Sequence, residues 1–213
     1  MMFLWTDCET TGLDNSKHDI LTLYMGVYNE NLELIDELDL QLKPDHGDIN
    51  RIVYDPEAAQ VTGINLVEHL ADPSTITYSE GKELILALLE KHKIPKKRKH
   101  YRLSGHNVDF DKNFILAKIM ELEEWEKYVH YSTLDTLKIM VFLQDVGLVP
   151  SDLGNLGSLV EYFGIPLGKA HNAREDIKMN VEVYKSIRNM MKVNKNGFSG
   201  VSDHNLLSIV ELD

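Results

Sequence analysis

The sequence predicts an α/β domain with a central mixed five-stranded sheet flanked by helices. Three β-rich segments follow one another at the start of the chain, over residues 2–7, 20–28 and 34–42. Only Asn29-Glu30-Asn31-Leu32 separates the second from the third, which predicts a hairpin. Beyond Ser79, helical periods alternate with two short apolar segments near 101–105 and 131–135. A β-meander followed by alternating strands and helices is the order of an α/β protein with a mixed sheet.

The first segment, Phe3-Leu4-Trp5-Thr6-Asp7-Cys8-Glu9-Thr10-Thr11-Gly12-Leu13, is apolar until it ends in two carboxylates one residue apart and a Gly turn. Side chains on a strand repeat every second residue, so Asp7 and Glu9 share one face and Cys8 takes the other, as a buried core thiol. Residues 45–60 show no clear period and read as a turn-rich loop. Ser79 is placed to cap a helix through Lys91, with Leu84, Ile85 and Leu88 inward. After the fourth strand, one helix is expected over 110–127, where Phe110, Phe114 and Ala117 fall at helical spacing. Residues 136–146 and 156–163 also read as helices, the second ended by Gly164 before Pro166. The last helix, 173–192, repeats Ile177, Val181, Tyr184, Ile187 and Met191 at spacings of four and three. One domain over 1–192 and a tail over 193–213 are expected. That tail is polar to Gly200 and then apolar at Leu206-Leu207-Ser208-Ile209-Val210, a flexible linker to a partner-docking peptide or a segment folded back on its own domain.

Composition bounds the function. A chain of 213 residues, 43% of them hydrophobic, can bury one good core. It has no 18-residue apolar run and no basic leader, so neither a membrane span nor a signal peptide is expected. A single cysteine cannot form an internal disulfide and fits a reducing compartment, the cytoplasm. A net charge of −12 argues against a protein that coats nucleic acid through a broad basic surface. The exception is the basic run from Lys91 to Arg102, which reads as a solvated loop or as a distal contact for nucleic acid or a partner. The strand that follows it sets it roughly 15–20 Å from the end of the sheet where Asp111 falls.

Asp7 and Glu9 have companions. Leu103-Ser104-Gly105-His106-Asn107-Val108-Asp109-Phe110-Asp111 supplies another acid where an apolar stretch gives way to a helix, and His171-Asn172-Ala173-Arg174-Glu175-Asp176 supplies a third constellation. Parallel carboxylates at the end of a buried strand are costly unless a cation lies between them. Clustered oxygen ligands suit a hard divalent ion such as Mg²⁺ or Mn²⁺. In this order and spacing, the chain resembles the DnaQ-like (DEDDh) 3′–5′ exonucleases, whose three blocks are D-x-E followed by T-T-G, H-N-x-x-F-D, and H-x-A-x-x-D. The sister subfamily carries Tyr four residues before the last Asp, where this chain has Asn172, so the histidine type is indicated. Smaller likenesses lie at Ala58–Ile64, at Leu134-Asp135-Thr136 and at Leu156-Gly157-Ser158-Leu159, and the resemblance covers roughly residues 1–191.

That resemblance implies a ribonuclease-H-like fold and two Mg²⁺ (or Mn²⁺) ions held by Asp7, Glu9, Asp111 and Asp176, with Asp7 bridging. Two such ions activate a water and stabilise the leaving oxygen in phosphodiester hydrolysis. His171 is then the general base. A five-residue gap is not a same-face helical spacing, which puts His171 on the turn before the helix of Asp176, a helix that Asn172 can cap with Glu175 three residues on. By the same resemblance the loop of Thr10, Thr11 and Gly12 meets the terminal 3′-hydroxyl, Leu13 wedges against the last base, and Asn107 and Phe110 line the cleft. Phe110 also reads as packing. Thr62 stands where many relatives carry a nucleic-acid-touching His. His106 is expected to make a structural hydrogen bond, and His18, His46, His69, His92, His100, His130 and His204 to be surface or incidental.

The resulting expectation is a metal-dependent 3′–5′ exonuclease releasing nucleoside 5′-monophosphates from single-stranded ends. DNA is preferred over RNA on the strength of Val61-Thr62-Gly63-Ile64. Short RNA is the rival, since Trp5 and Tyr131–Asp135 resemble oligoribonucleases. A catalytically inactive interaction module is the third reading, opposed by candidates at all five catalytic positions. A polymerase or another replication or repair protein is the expected protein partner, with no membrane involved.

Overall fold

The first strand, β1 (Met2–Thr10), lies inside a six-stranded sheet and delivers two of the acids to its end. The computed structural model describes residues 1–94, 100–166 and 172–197, with backbone alone over 193–197. β1 pairs antiparallel with β2 (Ile20–Tyr28), and β2 antiparallel with β3 (Leu34–Lys43), through the expected hairpin. Asn29 shapes that turn: its Oδ1 accepts the N–H groups of Asn31 and Glu33 at 2.9 and 3.0 Å. On the other side β1 runs parallel to β5 (Tyr101–Gly105), which runs parallel to β6 (Val129–Asp135). The C-terminal ends of β1, β5 and β6 therefore meet at one edge of the sheet, where open α/β sheets place their ligands.

The sheet has six strands where five are expected. The additional one, β4 (Thr75–Thr77), pairs parallel with β3 at the edge; three residues are too short to show a period in sequence. Residues 45–60 are not all loop. Helix α1 (Pro56–Thr62) starts at Asp55-Pro56 and stops at Gly63, whose φ of 65° is the left-handed conformation glycine adopts freely, and α2 (Leu66–Ala71) follows behind an Asn65 cap. Helix α3 (Tyr78–Lys91) is capped by Thr77 rather than Ser79, because Thr77 and Glu80 form a reciprocal capping box.

The single helix expected over 110–127 is two, α4 (Val108–Lys118) and α5 (Leu122–Tyr128). Ile119 and Met120 both donate their N–H to the Ile115 carbonyl, closing α4, and both side chains are buried. Beyond β6 come α6 (Thr136–Asp145), α7 (Leu156–Tyr162) and α8 (Ala173–Gly197), the last running five residues past its expected end.

Alternation along β1 divides the core. Leu4 and Cys8 face a layer with Ile85, Leu89, Phe114, Ile115 and Trp125, from α3, α4 and α5. Trp5 faces the opposite layer with Tyr24, Ile177 and Val181, from β2 and α8. Asp7 and Glu9 thus lie on the α8 face of β1, while Cys8 is the buried thiol on the other. Three histidines expected at the surface are buried: His18, His69 bonded to the Leu42 carbonyl, and His100 accepting the Ile94 N–H. At the flanks of the basic run, Lys91 and His92 both hold Asp36. Residues 95–99, His171, His204 and most of the expected tail, 198–213, lie outside the described residues. Among the described residues no helix is long and apolar enough to cross a membrane.

Candidate active site

Asp7 and Glu9 reach the sheet edge from β1, and α8 brings Asp176 over the same face in its first turn. Each of the three offers a carboxylate oxygen, and these oxygens lie within 4.8 Å of one another. Asp111 arrives from the other layer, in the first turn of α4. It is 3% exposed, and its Oδ1 accepts the Cys8 N–H at 2.9 Å, which pins it to the strand between Asp7 and Glu9. Both helices present their N-termini to the cluster, where the helix dipole favours negative charge.

Electrostatics show how closely the four acids converge. Burial holds the Asp7 carboxyl well above the ordinary carboxylate range, and the charges of Asp111, Glu9 and Asp176 push it further the same way. Burial raises Asp111 to about 7, against the bonds from Cys8 that lower it, with the Glu9 charge adding to the rise. Burial and the same acids raise the Cys8 thiol, so it stays protonated and offers no thiolate to a metal. Two like charges about 4 Å apart cost about 4 kcal/mol at an effective dielectric of 20, a repulsion that a divalent cation among the oxygens would remove. An all-oxygen donor set of carboxylates fits Mg²⁺ or Mn²⁺.

The helix that carries Asp176 is fixed at its start. The Asn172 Oδ1 accepts the Glu175 N–H at 3.2 Å, as the spacing predicts, while Glu175 itself pairs with Lys178. Arg174 clamps Glu37 on β3, and the Tyr24 hydroxyl on β2 donates to the same carboxylate at 2.7 Å.

Beside the acids lies a cleft of roughly 330 Å³, lined on one side by Cys8, Glu9, Thr10, Gly12, Leu13 and Phe110 and on the other by α1 through Ala58, Val61 and Thr62. Leu13 is 83% exposed at its rim, an apolar side chain held out to solvent. Phe110 serves two ends: it lines the cleft and packs its ring 4.8 Å from that of Phe114. Thr62 lines the cleft with its hydroxyl 2.7 Å from that of Tyr54.

Two of the expected substrate residues are absent from this lining. Thr11 is fully buried: its N–H donates to the Asp19 carbonyl, its hydroxyl accepts the Asp19 N–H, and its carbonyl accepts the Asp55 N–H, so it shapes the loop. Asn107 is exposed and stands at φ 60° before α4. His106 makes the structural bond expected of it, to the Thr136 hydroxyl at 3.0 Å, and burial lowers its pKa, which keeps the ring neutral.

Behind the cleft lies a contact that the sequence did not disclose. His18 Nδ1 accepts the Asp14 N–H at 3.0 Å, and its Nε2 lies 3.2 Å from Asp55 at the start of α1. This clasp joins the Thr10–Leu13 loop to the opposite wall. Gly12 packs against it so closely that a Cβ there would lie 2.6 Å from the His18 ring. Beside the likeness over Ala58–Ile64, the sequence signal for that wall is Asp55-Pro56 opening a helix that Gly63 closes.

The family model described as Exonuclease, RNase_T, matches residues 4–184. An oligoribonuclease from Rhodococcus jostii is 26% identical over 216 aligned residues, covering 98% of this chain and 95% of that protein. A PolC-type DNA polymerase III from Caldanaerobacter subterraneus is 26% identical over 95% of this chain, which spans only 12% of that protein. Among solved structures, E. coli exonuclease I in complex with a dT13 oligonucleotide superposes with a TM-score of 0.68 at 20% identity, covering 97% of this chain and 45% of that one. Another exonuclease I structure gives a TM-score of 0.71 at 19% identity, with 46% of its chain covered. These superpositions establish the shared fold.

Proposed function

The chain belongs to the RNase_T exonuclease family, as a DnaQ-like 3′–5′ exonuclease of the ribonuclease-H-like superfamily, and we propose that it removes nucleoside 5′-monophosphates from single-stranded ends at the four-carboxylate cluster. The observation that carries this reading is the meeting of Asp7, Glu9 and Asp176 within 4.8 Å, beside Asp111 held by the Cys8 N–H. Two divalent ions, Mg²⁺ or Mn²⁺, held by these four carboxylates would supply the Lewis acidity that activates water and stabilises the leaving oxygen. His171, five residues before Asp176 in the third block, is the base assigned to take the proton from the attacking water. The cleft between Leu13, Phe110 and α1 receives the terminal nucleotide, with Leu13 against the last base and the loop of Thr10 and Gly12 near the 3′-hydroxyl.

Single-stranded DNA is the first substrate reading, supported by the match to a stretch of a DNA polymerase, which also supports a polymerase or another replication or repair protein as partner. Short RNA is the second, favoured by an oligoribonuclease that aligns over 95% of its own length. The net charge of −12 suits either substrate only if few phosphates are gripped at once. We assign the catalytic unit to residues 1–192 and, from its single buried cysteine, a reducing location in the cytoplasm. Matched 5′-labelled DNA and RNA oligonucleotides, from dinucleotides upward, test the substrate. The DNA reading expects faster shortening of DNA at every length, and a preference for RNA of a few nucleotides would overturn it in favour of the second.

A further inference from the structure

The junction of β6 and α6 holds both helices that carry acids of the cluster, α4 with Asp111 and α8 with Asp176. Asp135, 4% exposed, accepts two backbone N–H groups on its Oδ1, from Asn107 at 2.9 Å and from Leu137 at 3.0 Å. Asn107 precedes α4 in the left-handed conformation, φ 60° and ψ 39°, and its own side chain makes no capping bond. Asn tolerates that conformation better than most residues, yet a partner must select it. Asp135 is that partner, and it fixes the start of α4 four residues before Asp111. Lys138 adds a second tie on the exposed side, bridging Asp135 and Asp109.

Thr136, fully buried, does the same for α8. Its hydroxyl lies 2.7 Å from Asn180 Oδ1, 3.0 Å from His106 Nδ1 and 3.2 Å from the Gly105 carbonyl. One proton serves that hydroxyl, so it donates to one oxygen and receives from His106 when Nδ1 carries a hydrogen. Asn180 is 1% exposed and sits one helical turn beyond Asp176. In a buried network each of these bonds is costly to break, because the groups left behind have no water to turn to. Asp135 is not among the charges that raise Asp7, whereas Asp111 is the first of them.

We propose that Asp135 and Thr136 are positioning residues that set the separation of α4 and α8, and hence of Asp111 and Asp176, so that the cluster's affinity for divalent cations depends on two side chains that never touch the ion. The proposal rests on the metal-dependent reading above. Groups that orient metal ligands from behind typically change metal affinity by about 10–100-fold when removed.

The test is a Mn²⁺ titration followed by thermal melting, which reads metal binding without turnover. Thr136→Val and Asp135→Ala should raise the midpoint metal concentration by about 10–100-fold, and Asn180→Ala should move it the same way through α8 alone. Thr136→Ser, which keeps the hydroxyl, should restore the wild-type midpoint. Val183→Ala, in the α8 core away from the acids, should lower the metal-free melting temperature and leave the midpoint unchanged. If the variants that fold melt lower but keep the wild-type midpoint, while Asp7→Asn loses the metal response, the positioning role is wrong and the metal site stands. A wild-type midpoint in Asp7→Asn would remove the metal reading and the proposal with it.

Discussion

Asp111 shows most directly how the site strains the fold. Burial raises its carboxyl to about 7, and Asp7 is raised well above the usual range for the same first reason. A folded-state pKa above the unfolded value of about 3.9 means that the native state binds more protons between those limits, so stability falls as pH rises through that window. In EDTA the melting temperature should therefore fall between about pH 4 and pH 7, with the acid limb retaining the full contribution of the protonated form. Asp111→Asn keeps an oxygen for the Cys8 N–H and removes the charge. It should melt higher than wild type at neutral pH without metal and show a shallower decline over the same window. A decline as steep as wild type would mean that Asp111 is not the strained group. Residue pairs of this kind were partly legible in sequence: Asp7 and Glu9 declare a shared face through strand alternation. The His18–Asp55 clasp did not declare itself, because its partners are far apart in the chain and neither lies in a periodic element with the other.

At the scale of elements, strands with a buried face announced themselves and elements without one did not. β1 and β2 were legible because apolar residues persist along them, β3 because Leu38, Leu40 and Leu42 alternate with polar residues, and α8 because its apolar positions recur each turn. Helix α1 has no buried residue, so no apolar period marks it, although it forms a wall of the cleft. The break between α4 and α5 is hidden for the opposite reason: Ile119 and Met120 are buried, and the apolar pattern continues through it. The α1 wall gives a prediction at this scale. Gly12→Ala puts a methyl group 2.6 Å from the His18 ring and 2.7 Å from the Asp55 carboxylate, forcing the clasp apart. Overpacking of this kind costs about 1–3 kcal/mol, which lowers the melting temperature. Because the clasp ties the Thr10–Leu13 loop to the start of α1, the two walls of the cleft, KM for an oligonucleotide should rise more than kcat falls. Steady-state kinetics with a melt of the same variant check this, and an unchanged KM would detach the clasp from substrate binding.

Over the whole molecule, three parallel strands bring their C-terminal ends together, and the two helical layers each send one acid to that edge. The fold thereby concentrates negative charge at one place in a chain already at −12, and in the proposed function a divalent cation held there would supply the chemistry of phosphodiester hydrolysis. The most direct measurement uses one single-stranded oligonucleotide carrying a 5′ label and its twin carrying a 3′ label, incubated with Mg²⁺ or EDTA and with wild type, Asp7→Asn or His171→Ala. With Mg²⁺ and wild type, the 5′-labelled strand should shorten as a ladder and the 3′-labelled strand should release its label at once as mononucleotide. EDTA and Asp7→Asn should both abolish this, and His171→Ala should slow it by about 10²–10⁴-fold while metal still raises its melting temperature. Internal cuts, release of the 5′ label first, or undiminished cleavage by Asp7→Asn would contradict the account.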